Sequence, residues 1–296
     1  MKKIIIAGGT GFLGQVLTEH WKNTAYQIYI LSRQHHLDHD NVHYLKWDGR
    51  SIGYWAKYLE GADLMVNLNG KSVDCRYTEK NKQLIYDTRI QATVVLGRAI
   101  EACSSPPKLW INAASATIYR HTEDREMDEV NGEIGKGFSV DVCKKWEAAF
   151  ESFELPQTRK VIFRKGIVLG KQGGPLVPLL NLAKLGFGGK QGNGEQYFSW
   201  IHTSDFVRAF DFILERKDLT GIFNLTGPEP IPNKEMMLHI RKLAKRPFGL
   251  PMPAWLLEIG AFFIRTETEL ILKSRRVVPT RLLDAGFSFK RKKIVN

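Results

Sequence analysis

The chain has 296 residues, 43% of them hydrophobic and 25% charged, with a formal net charge of +12. That length suits two domains or one large one with a sizeable core, and the ordinary composition, free of repeats and low-complexity tracts, excludes a disordered or fibrous chain. The charge belongs to the tail: residues 241–296 carry 13 Lys and Arg against 4 Asp and Glu. Such a tail is either a nucleic-acid or anionic-lipid patch or a solvated basic face. The scatter of its cations among Leu, Phe, Ile and Pro favours the face, so nucleic acid is not an expected partner. Cys75, Cys103 and Cys143 are too few and too scattered for a disulfide framework or a zinc site, and no metal is expected; a reducing cytoplasm fits. No signal peptide is expected ahead of the first strand. The longest apolar stretch, 254–264, contains Glu258 and is short of the ~20 residues that span a bilayer. It reads as a core helix, and no membrane partner is expected.

The first strand is Ile4, Ile5, Ile6 and Ala7, a β-branched run of the kind buried on both faces of a parallel sheet. It ends at Gly8, glycines recur at Gly11 and Gly14, and a helix follows over 15–21. Glycine is needed there for a sharp turn, for close backbone approach to a pyrophosphate, and for packing of the helix on the strand. The helix N-terminus then offers N–H groups and a positive dipole end to phosphates. Gly8, Thr10, Gly11, Phe12 and Leu13 are therefore expected to contact a dinucleotide.

A second strand over 26–31 ends in Ser32 and Arg33. An acidic residue there would bond the ribose 2′-hydroxyl and select NAD(H); Ser32 and Arg33 can instead donate to a 2′-phosphate, which favours NADP(H). The alternative for Arg33 is a solvated surface residue. A third strand over 42–47 precedes Asp48, a candidate acceptor for the adenine amino group. A fourth over 63–68 runs into Asn67, Leu68, Asn69 and Gly70, placed against the cofactor because ligands meet an open sheet at strand carboxyl ends. A long helix spans 79–103, and a fifth strand, 109–113, empties into Ala114, Ser115 and Ala116. A helix over 141–153 and a sixth strand over 160–169 follow, the latter entering Gly170 and the loop with Gln172, Gly173, Gly174 and Pro175. Arg89, Ala113 and Gly166 complete the expected cofactor contacts.

Six strands alternating with helices predict an α/β fold, a Rossmann-like doubly wound parallel sheet with a small mixed C-terminal substrate lobe. Residues 1–170 form the NADP(H)-binding domain, 171–246 a substrate-side lobe interleaved with it, and 247–296 a small basic C-terminal domain. The lobe reads as a glycine-rich loop over 186–194, a short strand over 198–201, a helix over 203–214 capped by Thr or Ser, and a short strand over 222–225. The turn Gly227, Pro228, Glu229, Pro230 and a helix capped by Asn233 follow. In the tail a helix is expected over 266–276.

These residues resemble the extended short-chain dehydrogenase/reductase superfamily across almost the whole chain. Within it they are similar to the atypical epimerase-like branch, the NAD-dependent epimerase/dehydratase group with an extra C-terminal domain and its cell-division-inhibitor-like members. The strings that carry the resemblance include Gly8 to Gly14, Arg76-Tyr77-Thr78, Ala114-Ser115-Ala116, Cys143-Lys144-Lys145-Trp146-Glu147, Trp200-Ile201-His202-Thr203 and Arg276-Val277-Val278-Pro279. The resemblance implies a Rossmann-like fold binding NADP(H), oxidoreductase or epimerase chemistry, and a homodimer paired through the helices at 79–103 and 141–153.

Superfamily chemistry uses a Tyr acid or base, a Lys four residues later and a Ser or Thr on the substrate oxygen. None of the nine tyrosines has Lys at the fourth position onward. Ser115 matches the superfamily Ser, but the positions for Tyr and Lys fall on Ser139 and Cys143. Three replacements are conceivable: Cys143 as a proton shuttle rather than inert packing, Lys144 or Lys145 turned toward the ribose rather than to solvent, and His202 as acid or base with substrate held on Trp200. Lys165 either supplies the missing positive charge near the substrate or points to solvent. Two functions follow. One is an NADP(H)-dependent oxidoreductase or epimerase-like enzyme acting on a small carbonyl, hydroxyl or nucleotide-sugar substrate; the other is a non-catalytic NADP(H)-binding regulatory module.

Overall fold

The computed structural model describes residues 2–170, 173–264 and 267–294. In chain order its strands are β1 (Lys2–Ala7), β2 (Tyr26–Ser32), β3 (Val42–Lys46), β4 (Leu64–Asn67), β5 (Leu109–Asn112), β6 (Arg159–Lys165), β7 (Ile167–Leu169), β8 (Tyr197–Phe198), β9 (Trp200–His202), β10 (Gly221–Leu225) and β11 (Ile231–Pro232). Its helices are α1 (Phe12–Trp21), α2 (Glu79–Glu101), α3 (Phe138–Glu151), α4 (Leu176–Lys184), α5 (Thr203–Glu215), α6 (Asn233–Leu243), α7 (Ala254–Ile264), α8 (Glu269–Leu272) and α9 (Thr280–Asp284). Among the described residues seven strands form one sheet in the order β10-β6-β5-β4-β1-β2-β3, every neighbouring pair parallel. Strand order reverses between β1 and β4, and the crevice at their carboxyl ends is where such sheets take ligands.

Alternation along β1 sorts its isoleucines between two cores. Ile4 and Ile6 join Leu17 and Trp21 of α1 and Phe206 and Phe210 of α5 on one face. Ile5 joins Ala92 and Leu96 of α2 and Phe150 of α3 on the other. The glycine turn sets how closely α1 lies on β1. A Cβ on Gly14 would come 2.4 Å from the Gly9 Cα, and one on Gly9 would come 2.6 Å from the Ile30 side chain. Gly14→Ala is therefore expected to push α1 off the sheet and cost about 3 kcal/mol, the upper range for overpacking. A urea midpoint equal to that of the parent would refute this.

Several expectations are corrected by the structure. The helix expected from residue 15 starts at Phe12, and the one expected from 141 starts at Phe138. The sixth strand breaks at Gly166. There the chain leaves the main sheet, Gly166 N–H donating to Leu225 O and Ile167 N–H to Ser199 O, and β7 pairs with β9 in a separate two-stranded sheet. The edge of β6 away from β5 is paired by β10, so residues assigned to the lobe supply a seventh strand. The strand expected over 198–201 is split at Ser199, whose hydroxyl donates to Arg275 O and accepts from Val277 N–H.

The caps also differ from expectation. Helix α5 is capped not by Thr or Ser but by His202, whose Nδ1 accepts from Ser204 N–H. Asn233 does not cap α6; its buried amide binds Gln191 through both the backbone N–H and the side chain. In the tail the expected helix over 266–276 shrinks to α8, and its start at Thr266 lies outside the described residues. Beyond α8 the chain runs extended, because Ser274 is fully buried and Ser274, Arg275 and Arg276 bond backbone to Thr122, Tyr197 and Met127. Helix α7 is not a core helix. Leu257 and Ala261 are buried, while Trp255 and Phe262 face solvent. No helix among the described residues is long and apolar enough to cross a membrane.

Candidate functional site

The crevice at the switch point is a cavity of about 780 Å³, within the size range of small-molecule and cofactor sites. Gly8, Thr10 and Gly11 line it from the glycine turn, Ser32 and Arg33 from the end of β2, Asp48 from the end of β3, and Leu68, Asn69 and Gly70 from the end of β4. Gly8 has a left-handed φ of +79°, and a Cβ there would lie 2.9 Å from the Leu68 carbonyl carbon. Backbone alone fits. Helix α1 has no side-chain cap, so its first N–H groups remain for a ligand. Phe12 and Leu13 contribute to that end through backbone only. The Phe12 ring packs on Gly170, Gly173 and Gly174, and Leu13 packs against the core.

Ser32 is buried and its hydroxyl accepts from Gln34 N–H at 3.1 Å, whereas Arg33 is exposed on the cavity wall. Arg50 lines the same cavity and had no sequence signal, since it lies in a loop beyond β3. Asp48 is a turn-former. Its carboxylate accepts from Arg50 N–H, Ser51 N–H and the Ser51 hydroxyl at 2.7–2.9 Å, and these bonds hold its pKa down at about 2. Asn67 does not face the cavity. It is fully buried, donates to Thr93 and Asn112, and accepts from Asn69 N–H, so it fixes the turn from behind. Ala113, also buried, donates its N–H to Asn67 O.

A second, smaller cavity of about 80 Å³ lies past the 70–73 segment. Ser115 reaches it from the end of β5, Lys165 from the end of β6, Ser139 and Cys143 from α3, Arg89 from α2, and Tyr77 from the loop before α2. The positions matched by counting to the superfamily Tyr and Lys thus do face one site with Ser115. Arg89, expected at the cofactor, lines this cavity instead, because its guanidinium folds back to donate to Lys71 O and Ile85 O. Ser115 bonds Thr117, donating to its hydroxyl at 3.0 Å and accepting from its N–H. Tyr77 was missed as a site residue because its loop position is set by tertiary packing. Its hydroxyl is buried beside Ser139, and burial raises its pKa.

Two groups in this cavity are strongly tuned. Burial, aided by Glu147, pushes the Cys143 thiol up to about 11, which keeps it protonated and ends its candidacy as a neutral-pH base. Burial, aided by Arg89, pushes the Lys165 ammonium down to about 8. Lys144 and Lys145 are exposed, Lys145 pairing with Asp141 at 2.8 Å, so neither turns inward. The Trp200 and His202 assignments also fail. Trp200 is packed in a core with Phe198, Met236 and Met237 and donates its indole N–H to Glu229 O, and neither residue lines either cavity. Arg164 is locked in a buried pair with Glu147, its Nε and Nη2 donating to the two carboxylate oxygens at 2.9 and 2.7 Å. Among the described residues no cluster of His, Cys, Asp or Glu is arranged to hold a metal.

A parallel sheet in this order, with a glycine-turn crevice at its switch point, defines a Rossmann-like dinucleotide-binding fold. Residues 4–137 match the NAD dependent epimerase/dehydratase family, and residues 252–294 match a domain of unknown function, DUF1731. The epimerase family protein YfhF of Bacillus subtilis is 32% identical over 97% of this chain and 93% of its own length. The chain belongs to the epimerase family. The human epimerase family protein SDR39U1 (isoform2), solved with NADPH, has a TM-score of 0.87 at 28% identity over 98% of this chain and 96% of that one. MoeE5, solved with UDP-glucuronic acid and NAD, shares the fold with a TM-score of 0.78 at 18% identity over 98% and 94% of the two chains.

Proposed function

We propose that this protein is an NADP(H)-dependent oxidoreductase acting on a small carbonyl or hydroxyl compound in the second cavity. The observation that carries the reading is the end of the large cavity, where Ser32, Arg33 and Arg50 stand and no carboxylate occupies the end of β2. Gly8, Gly11 and the uncapped first turn of α1 would hold the pyrophosphate, and Arg33 and Arg50 the 2′-phosphate. Gly166, expected at the cofactor, lines neither cavity, because a Cβ there would meet Ser199 O at 2.5 Å and Thr226 at 2.9 Å; its bareness serves the close packing of those segments. When bound, the dinucleotide supplies or accepts a hydride.

The chain's own residues manage the oxygen and its proton. Ser115 would orient the reacting oxygen by a hydrogen bond. Lys165 would give it a proton in the reducing direction and take one in the oxidising direction, work suited to a group titrating near 8. This replaces the Tyr-Lys pair missing from α3 by a lysine at the end of a strand, β6. The regulatory-module reading lacks a comparable observation in its favour.

Calorimetric titration with NADPH and NADH tests the cofactor site. Arg33→Ala is expected to weaken NADPH binding about 10- to 100-fold, the worth of a charge-assisted bond, and to leave NADH binding unchanged. Equal affinity of the parent protein for the two nucleotides would overturn the NADP(H) assignment.

A further inference from the structure

The second cavity holds more positive charge than a proton carrier requires. Arg89 and Lys165 both line it, and Arg275, from the extended segment after α8, joins them in lowering the pKa of the Cys143 thiol. The groups that act on Lys165 are Arg89 and Cys143, and those that act on Arg89 are Cys143, Tyr77 and Cys75; no Asp or Glu appears in either set. Glu147 faces Cys143 from α3 but is taken up by Arg164. Glu269, the carboxylate nearest Arg275 at 3.9 Å, also accepts from the Ser139 hydroxyl at 3.0 Å and lies 3.5 Å from Lys273.

The unused hydrogen-bonding capacity matches this charge. Arg89 Nη1 donates to two backbone carbonyls, Lys71 O and Ile85 O, which orient the guanidinium without neutralising it. The Arg275 Nε is buried with no partner. Arg275 shares Glu269, but among the described residues no carboxylate pairs with Arg89 or Lys165. Cations drawn from water without such a partner cost several kcal/mol each, and a fold that keeps two of them around one cavity is built to receive negative charge.

We infer that the second cavity is an anion site that receives the carboxylate of a small oxo-acid or hydroxy-acid substrate, held by Arg89 and Lys165. The volume of about 80 Å³ admits only a few heavy atoms, which suits a carboxylate next to the reacting carbon and excludes a nucleotide diphosphate. A carboxylate also matches the planar fork of a guanidinium. The field of Arg275 adds to the attraction from the C-terminal segment. This assignment rests on the oxidoreductase reading for its chemistry but not for the binding event.

Binding is read by titrating oxamate, inorganic phosphate and UDP-glucose into the full chain at fixed ionic strength, with and without NADPH. Oxamate is expected to bind saturably and at least 10-fold more tightly than phosphate, and UDP-glucose is not expected to compete with it. Lys165→Met and Arg89→Met should each weaken oxamate at least 10-fold, with Lys165→Arg restoring it; circular dichroism identifies any variant that fails to fold, and the Lys165 pair then decides. No oxamate binding, unchanged binding in folded Lys165→Met, or phosphate as tight as oxamate would overturn the assignment. The nucleotide-free titration separates the two claims. Oxamate binding without any NADPH binding would sink the oxidoreductase reading and leave the anion site standing, and the reverse would do the opposite.

Discussion

Replacing Lys165 by methionine is expected to lower NADPH-linked turnover by about 10²- to 10⁴-fold, the usual worth of a positioned acid or base, and at the same time to raise thermal stability. The two effects share one cause. The ammonium is withdrawn from water beside Arg89, with Cys143 on α3 and Ser115 just beyond β5 as its other neighbours, and none of these carries a negative charge at neutral pH. Holding a proton there is unfavourable, and that makes the proton easy to give away.

The pH dependence follows in sign. Lys165 titrates near 8 in the fold and near 10.4 in the unfolded chain, so between those values the unfolded chain binds more protons and stability rises with pH. The rise should be present in the parent and absent in Lys165→Met. Turnover in the reducing direction should fall as pH passes about 8. Lys165→Arg separates charge from proton transfer, since an arginine keeps the cation but cannot release its proton. It should stay nearly as inactive as the methionine variant, and full activity in either would refute the assignment.

Glu147→Ala is expected to destabilise the protein by about 3–5 kcal/mol, the cost of leaving a buried partner charge alone. The Glu147 and Arg164 side chains are 6% and 9% exposed. Arg164 also donates to the Tyr119 hydroxyl at 3.0 Å, and that hydroxyl donates to Asn224 at 2.9 Å, so one hydrogen-bonded chain ties α3 to β6, the turn after β5, and β10. Burial holds the Glu147 carboxyl above its usual range even with the guanidinium beside it. Desolvation therefore dominates. Replacing both partners, as Glu147→Leu with Arg164→Met, should recover most of the loss. Urea unfolding of the three proteins measures this, and a single variant within about 1 kcal/mol of the parent would show that water reaches the pair.

What the sequence disclosed was whatever depends on local period and backbone freedom. The isoleucines of β1, the glycine turn and the apolar face of α2 follow from spacing alone, and the parallel sheet follows from the alternation of strands with helices, though not the place of β10 in it. The large crevice was legible because glycine spacing reports backbone approach. The second cavity was only half legible. Ser115, Cys143 and Lys165 sit where sheet topology places strand ends and a helix face, but Tyr77 here, and Arg50 in the large crevice, arrive from loops whose course no periodicity encodes. The break at Gly166 was hidden because residues 160–169 read as one strand, and what diverts them is backbone bonding to residues thirty to sixty positions later. Trp200 and His202 misled for the opposite reason. An aromatic next to an imidazole reads as chemistry, yet packing had already engaged one and capping the other.

The contact between Phe12 and the loop after β7 ties two distant segments into one evolutionary unit. A Cβ on Gly170, Gly173 or Gly174 would come within 2.6–3.1 Å of Phe12 or Thr203. The three glycines are thus the negative imprint of a ring that sits at the first position of α1. Bulk gained on one side has to be given up on the other, so substitutions in the loop and at residue 12 should be inherited as pairs, with the ring's size recorded in the loop's lack of side chains.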